Sequence, residues 1–163
     1  MAAGETKRLS TVDGVNQRAR IQMTETEVVA FLKEAHTMSV GTLNPDDTIH
    51  IVPMWYGFLD DLVALETKAK SQKAQNLRRN PTITCMVEAG FSTDELRGVQ
   101  IVGRAEIFEE RRRLIEVAVS MHERYQAASV SDDMLLQLER TMNKRVGIKI
   151  HPLRVASWDH RKL

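Results

Sequence analysis

The stretch Leu65–Pro81 constrains this chain more than any other. Leu62-Val63-Ala64-Leu65 reads as a short buried strand entered from an Asp60-Asp61 turn, and Pro81 forbids helix continuation. Between them fits one short helix, with Ser71 as its N-cap or first-turn residue and Ala74, Leu77 and Arg78 at helical spacing. Lys68, Lys70 and Lys73 crowd the start of that helix, where the macrodipole favours anions over cations. An anion would resolve the conflict. A phosphate fits best, because first-turn amides, the hydroxyls of Thr67 and Ser71, and converging ammonium groups all suit it. On spacing alone such lysines are more often a solvated helix face, and both readings stay open at this point.

The rest of the chain reads as strands with a few helices. Residues Met1–Met23 are polar and glycine-containing and are expected to form a flexible arm, leaving 24–163 as a single domain. Thr24-Glu25-Thr26-Glu27 is a capping box, and Val28, Val29, Phe31, Leu32 and Ala35 predict an amphipathic helix lying as a lid on an apolar surface. Ser39–Leu43, a turn at Asn44-Pro45-Asp46-Asp47 and a strand run over Thr48–Phe58 predict a hairpin, extended into a meander by Leu62–Thr67. Pro53 cannot donate to a ladder, so it marks an edge or a bulge. A bulge there would free backbone groups of Val52, Met54 and Trp55 to meet a heteroaromatic ring edge; protection of a sheet edge is the alternative.

After Pro81, strands are expected at Thr82–Val87, Gly98–Phe108 (bent at Gly103) and Arg145–Ile150. Helices are expected over Glu109–Ala128 and about Ser131–Lys144, and Pro152 begins a tail. Strands that cluster in meanders argue for a mainly β, α+β domain: a small antiparallel barrel with appended helices, closed to remove its edges.

Several chemistries are excluded. There is no Gly-x-Gly-x-x-Gly and no Walker loop, the five histidines lack metal-ligand spacing, and no serine sits in a nucleophile elbow. With Lys and Arg balanced by Asp and Glu to a net charge of +1, a nucleic-acid coat is not expected. Cys85 stands alone, so no internal disulfide forms. No membrane span or signal-like segment is read, and the expectation is a cytoplasmic protein.

The order strand, Thr67, Ser71-Gln72-Lys73, helix, Asn80-Pro81 resembles the phosphate-binding segment of the pyridoxamine-phosphate-oxidase-like split β-barrel flavoproteins. Lys73 followed by Asn76-Leu77-Arg78-Arg79-Asn80-Pro81 is most similar to the branch that uses the deazaflavin F420. The resemblance covers roughly Thr24–Trp158. It implies an FMN-binding-like split antiparallel β-barrel homodimer with cofactors in grooves between the subunits. It further implies that Thr67, Lys68, Ser71, Gln72 and Lys73 hold the cofactor phosphate, that Val52, Pro53, Met54 and Trp55 line the ring edge, and that Lys70 and Arg79 help hold the glutamyl tail. Where the FMN-using branch commonly carries arginines, this chain has His50 or Ile51, and Gln72, which leans towards F420 over FMN. The activity implied is hydride transfer from reduced deazaflavin to a conjugated planar acceptor, with Trp55, Tyr56 and the second subunit's Trp158 as candidate walls and no identifiable proton donor. His160 and Arg161 would contact an anionic substrate if they folded over the groove. The alternatives are an FMN oxidase or reductase of the same fold, and a protein that holds flavin, F420 or haem without turnover.

Overall fold

The computed structural model describes residues 17–34 and 36–163. Most of the arm expected over 1–23 lies outside them, as does Ala35. The described end of that stretch is ordered: α1 (Gln17–Ile21) is a helical turn, and Met23 is buried in the core. α2 (Glu25–Lys33) begins at the expected capping box, with Thr24 Oγ1 accepting from the Glu27 amide at 3.2 Å and Glu27 Oε2 accepting from the Thr24 amide at 2.6 Å. It lies over a cleft of about 470 Å3 lined by Val28, Leu32, Phe58, Val63, Ile101 and Ile150, as a lid on an apolar surface should.

The strands are β1 (Met38–Leu43), β2 (Ile49–Met54), β3 (Gly57–Leu59), β4 (Leu62–Lys68), β5 (Thr82–Ala89), β6 (Arg97–Phe108) and β7 (Arg145–Asp159). They form one antiparallel sheet in the order β2-β1-β5-β6-β7-β4-β3, curled into a half-barrel. The helices α3 (Gln72–Arg79), α4 (Arg111–Gln126) and α5 (Asp132–Thr141) complete the fold. Tyr56, Leu65, Ile83, Val87, Val99, Ile148 and Ile150 are fully buried in the main core, each worth roughly 1.5–3 kcal/mol of burial. A second cluster, Leu114, Val117 and Ala118 with Phe108 and Met142, fastens α4 to β3 and β4. Among the described residues no helix is long and apolar enough to cross a membrane.

Two expectations need correction. The run Thr48–Phe58 is not one strand: it breaks at Trp55-Tyr56, and β2 and β3 stand at opposite edges of the sheet. The β1–β2 hairpin is real, and so is β3–β4, whose two-residue turn puts Asp60 (φ 50°) and Asp61 (φ 61°) in the left-handed region as a tight hairpin requires. Between them the chain crosses the end of the curled sheet, because Tyr56 is drawn into the core. Secondly, the expected tail beyond Pro152 is strand up to Asp159, paired with β6 throughout. The proline is tolerated because the register shifts between Val102 and Gly103, where a bend was expected. A Cβ on Gly103 would stand 2.5 Å from the His151 carbonyl oxygen.

Candidate functional site

β4 delivers Thr67 and Lys68 to a tight turn in which the Ser71 amide donates to the Lys68 carbonyl at 2.9 Å and the Ala69 amide to the Lys144 carbonyl at 2.9 Å. Ser71 then caps α3, its hydroxyl accepting from the Ala74 amide at 3.4 Å. Thr67 Oγ1 donates to Ser71 Oγ at 3.2 Å and accepts from Lys73 Nζ at 3.2 Å, so three of the expected phosphate residues form one hydrogen-bonded group.

Lys73 is the anomaly in that group. Only 9% of it is exposed, yet it makes no ion pair among the described residues. Burial pushes its pKa below the ordinary lysine range, the opposing pull of Glu66 being the smaller effect. Glu66 is itself held by Arg145 in an ion pair. An ammonium has three donors, and one is used here. A buried, underused cation on a hydroxyl that is itself bonded to the helix-capping serine has the donor set that a phosphate dianion satisfies, so the residues present fit such a group.

The other expected phosphate residues are placed differently. Gln72 turns along the helix, its Nε2 donating to Asn76 Oδ1 at 2.9 Å, and does not join the Lys73 group. Lys68 and Lys70 open instead onto a groove of about 640 Å3, whose other wall carries Thr141, Asn143, Lys144 and Arg145. Lys144 and Arg145 were not foreseen, since nothing in the sequence says that the α5–β7 turn packs beside α3. Arg79 reaches the other way as well: its guanidinium donates to the Leu43 carbonyl and braces the β1–β2 hairpin.

Asn76, read in the sequence only as part of a motif, ties the two halves of the site together. It is 1% exposed, and its Nδ2 donates to Thr42 Oγ1 at 3.1 Å and Asn44 Oδ1 at 2.9 Å. Thr42 lies on β1 and Asn44 in the β1–β2 turn, so α3 is pinned to β1 and its hairpin turn. β2 is an edge strand. Pro53 pairs with Ser39 without a register shift, so the edge reading holds and the bulge reading does not. Backbone groups on the open side of Ile49–Met54 have no strand partner among the described residues. The exposed face of β2 is apolar at Ile49, Ile51 and Pro53, while Val52 and Met54 are half-buried.

Beyond Met54 the chain comes back towards the phosphate group. Gly57 pairs with Ala64, three residues before Thr67 on β4, which is about 10 Å at the usual strand rise. Trp55, at that crossing, is 50% exposed. Tyr56 is buried with its hydroxyl donating to the Leu32 carbonyl at 2.8 Å, and burial pushes its pKa up to about 12, so it stands protonated and structural rather than as a wall. Trp158 lies on Gly98, where a Cβ would come 2.2 Å from the indole. His160 is bonded through Nδ1 to the Thr93 carbonyl at 2.7 Å and Arg161 to Asp159, the last residue of β7, at 2.6 Å. No group of His, Cys, Asp and Glu among the described residues could hold a metal.

The family described as pyridoxamine 5'-phosphate oxidase matches residues 24–159. No curated protein matches the sequence. Among solved structures, the conserved hypothetical protein Rv2991 from Mycobacterium tuberculosis is 46% identical over 89% of this chain and 90% of its own, with a TM-score of 0.85. An F420 reductase shares the fold at 19% identity, covering 78% of this chain and 94% of its own with a TM-score of 0.60. The haem storage protein HutZ from Vibrio cholerae does so at 15% identity, 82% and 94% coverage and a TM-score of 0.63. With the match running from the capping box of α2 to the last residue of β7, the chain belongs to the pyridoxamine 5'-phosphate oxidase family.

Proposed function

We propose that this protein is an oxidoreductase that uses F420 to reduce a conjugated planar acceptor, working as a homodimer. The observation that carries the reading is the buried, unpaired Lys73 bonded through Thr67 to Ser71, next to a groove with more cations than a single phosphate needs. Lys68, Lys70 and Lys144 are in no ion pair among the described residues, and Arg145 is neutralised by Glu66. A flavin mononucleotide ends at its phosphate, whereas F420 continues into an acidic glutamyl tail, for which such a groove is suited. The shared fold of the F420 reductase supports the same choice.

In this reading Thr67, Ser71 and Lys73 hold the cofactor phosphate, Lys68, Lys70 and Lys144 attract the tail, and the open edge of Val52–Met54 with Trp55 borders the ring. When bound, reduced F420 supplies the hydride. The chain's own part is to fix the phosphate end against α3, to place the acceptor beside the ring and to keep bulk water away from the apolar β2 face. The exposed Ile49 and Ile51 on an open edge strand are suited to burial against a second copy.

Anaerobic mixing of the protein with chemically reduced F420 and a panel of quinones, enones, nitro-aromatics and tetrapyrroles, followed by the return of the oxidised deazaflavin absorbance, tests this. Acceptor-dependent reoxidation that is lost in Lys73→Met supports it. A rate equal to the protein-free control for every acceptor would refute it.

A further inference from the structure

We infer that Trp55 and Tyr125 form an aromatic stacking platform that selects planar acceptors, with Tyr125 as its positioning residue; the inference rests on the placing of Val52–Trp55 at the ring in the preceding section. Trp55 directly follows the open edge of β2, and half of it is exposed. Its indole is not loose on the surface. It lies flat on the Tyr125 ring, with centroids 4.5 Å apart and planes 7° from parallel. The opposite indole face carries no ring contact among the described residues.

Tyr125 is fixed in turn. Its hydroxyl donates to the His36 carbonyl at 2.6 Å and accepts from the Tyr56 amide at 3.3 Å, so the ring cannot leave its place without breaking both bonds. Its neighbour Arg124 donates to the Tyr56 and Leu32 carbonyls, each at 2.7 Å, and its guanidinium lies 3.8 Å from the Tyr56 ring centroid. The backbone immediately after Trp55 is therefore clamped to α4 and to the end of α2. A large aromatic surface held rigid on one face and open on the other has lost its conformational entropy before any ligand arrives, which is how a stacking site gains affinity. A ligand that presents a π-face gains from it, and a compact non-planar one does not.

The test uses cofactor-free protein in a Trp158→Phe background, where Trp55 is the only remaining tryptophan. Its emission is titrated with menadione, a planar dione, and with camphorquinone, a non-planar one. The platform predicts saturable quenching by menadione, with affinity at least about fivefold better than for camphorquinone. Tyr125→Leu, which removes the stack, should lower menadione affinity about fivefold and leave camphorquinone unchanged. Tyr125→Phe keeps the ring and should restore most of the loss, a rescue that a purely structural hydroxyl would not give. Equal binding of the two diones would overturn the inference, as would an unaltered menadione affinity in Tyr125→Leu that retains its circular dichroism. So would Trp55 emission that responds to protein dilution but not to either dione, since a second copy would then cover the platform. Because no cofactor is present, a chain that never takes F420 can still pass or fail this test.

Discussion

Replacing Lys73 with Met separates a binding role from a folding role by the sign of the two effects. In the native chain the Lys73 ammonium is buried without a carboxylate partner, and its one protein bond is to Thr67 Oγ1 at 3.2 Å. Methionine fills a similar volume and removes a charge whose desolvation is only partly offset, by Glu66 and the Thr67 bond, in the cofactor-free protein. The Thr67 hydroxyl keeps its bond to Ser71 Oγ, so no polar group is orphaned. The cofactor-free variant should therefore melt within about 3 °C of the parent, or above it, corresponding to about 1 kcal/mol or less for a chain of this size. Binding should move the other way. A charge-assisted hydrogen bond to a phosphate is worth about 1.5–3 kcal/mol, so cofactor affinity should fall roughly 10- to 150-fold. Thermal melts with and without saturating cofactor read both numbers from one experiment. A variant that binds within twofold of the parent, or that loses more than about 5 °C without cofactor, would refute the reasoning, since Lys73 would then be a structural lysine.

Three further outcomes follow from the same geometry. Lys73 titrates below its ordinary value of 10.5, so between its lowered pKa and 10.5 the unfolded chain holds more protons than the folded one. Its contribution to stability is fully present above 10.5 and is lost as pH falls through the lowered pKa, while phosphate affinity runs oppositely and declines as pH rises from that lower edge; both trends should vanish in Lys73→Met, as denaturant melts and calorimetric titrations across alkaline pH would show. Asn76→Ala leaves the buried Thr42 hydroxyl without its donor and should cost about 2 kcal/mol or more in urea unfolding, a loss below about 0.5 kcal/mol arguing against the pin between α3 and β1. Lys70→Ala with Lys144→Ala should flatten the salt dependence of F420 binding while leaving FMN binding unaffected, whereas Arg79→Ala should lower stability by loosening the Leu43 carbonyl and leave that salt dependence intact.

Local rules carried much of this architecture. The capping box at Thr24, the left-handed Asp60-Asp61 turn, the Ser71 cap and the ban on helix continuation at Pro81 are decided within a few residues, and each stands where the sequence puts it. The failures share another cause. Thr48–Phe58 reads as one strand because β-branched and aromatic residues dominate it despite Pro53 and Gly57, and only the curl of the sheet requires Trp55-Tyr56 to cross from one edge to the other. Pro152 reads as an end because its tolerance depends on a register shift in β6, a partner almost fifty residues away. The candidate site divides the same way. Thr67, Ser71 and Lys73 meet because the tight turn from β4 into the first residues of α3 brings them together within seven residues. Lys144, Arg145 and Tyr125 were invisible: the first two come from the α5–β7 turn, which reaches the β4–α3 turn, and the third from the end of α4, which packs on Trp55. Arg79 has the residue type expected of an anion site, and its bond to a carbonyl on the neighbouring hairpin is again a contact made across the fold.

Parallel titration of the purified protein with F420 and with FMN, by fluorescence or calorimetry at two ionic strengths, tests the central claim most directly. F420 should bind more tightly, with an advantage that shrinks at high salt as the Lys68, Lys70 and Lys144 groove is screened, and both ligands should bind more weakly to Lys73→Met. Equal or tighter binding of FMN at either ionic strength, or binding of neither ligand, would contradict it.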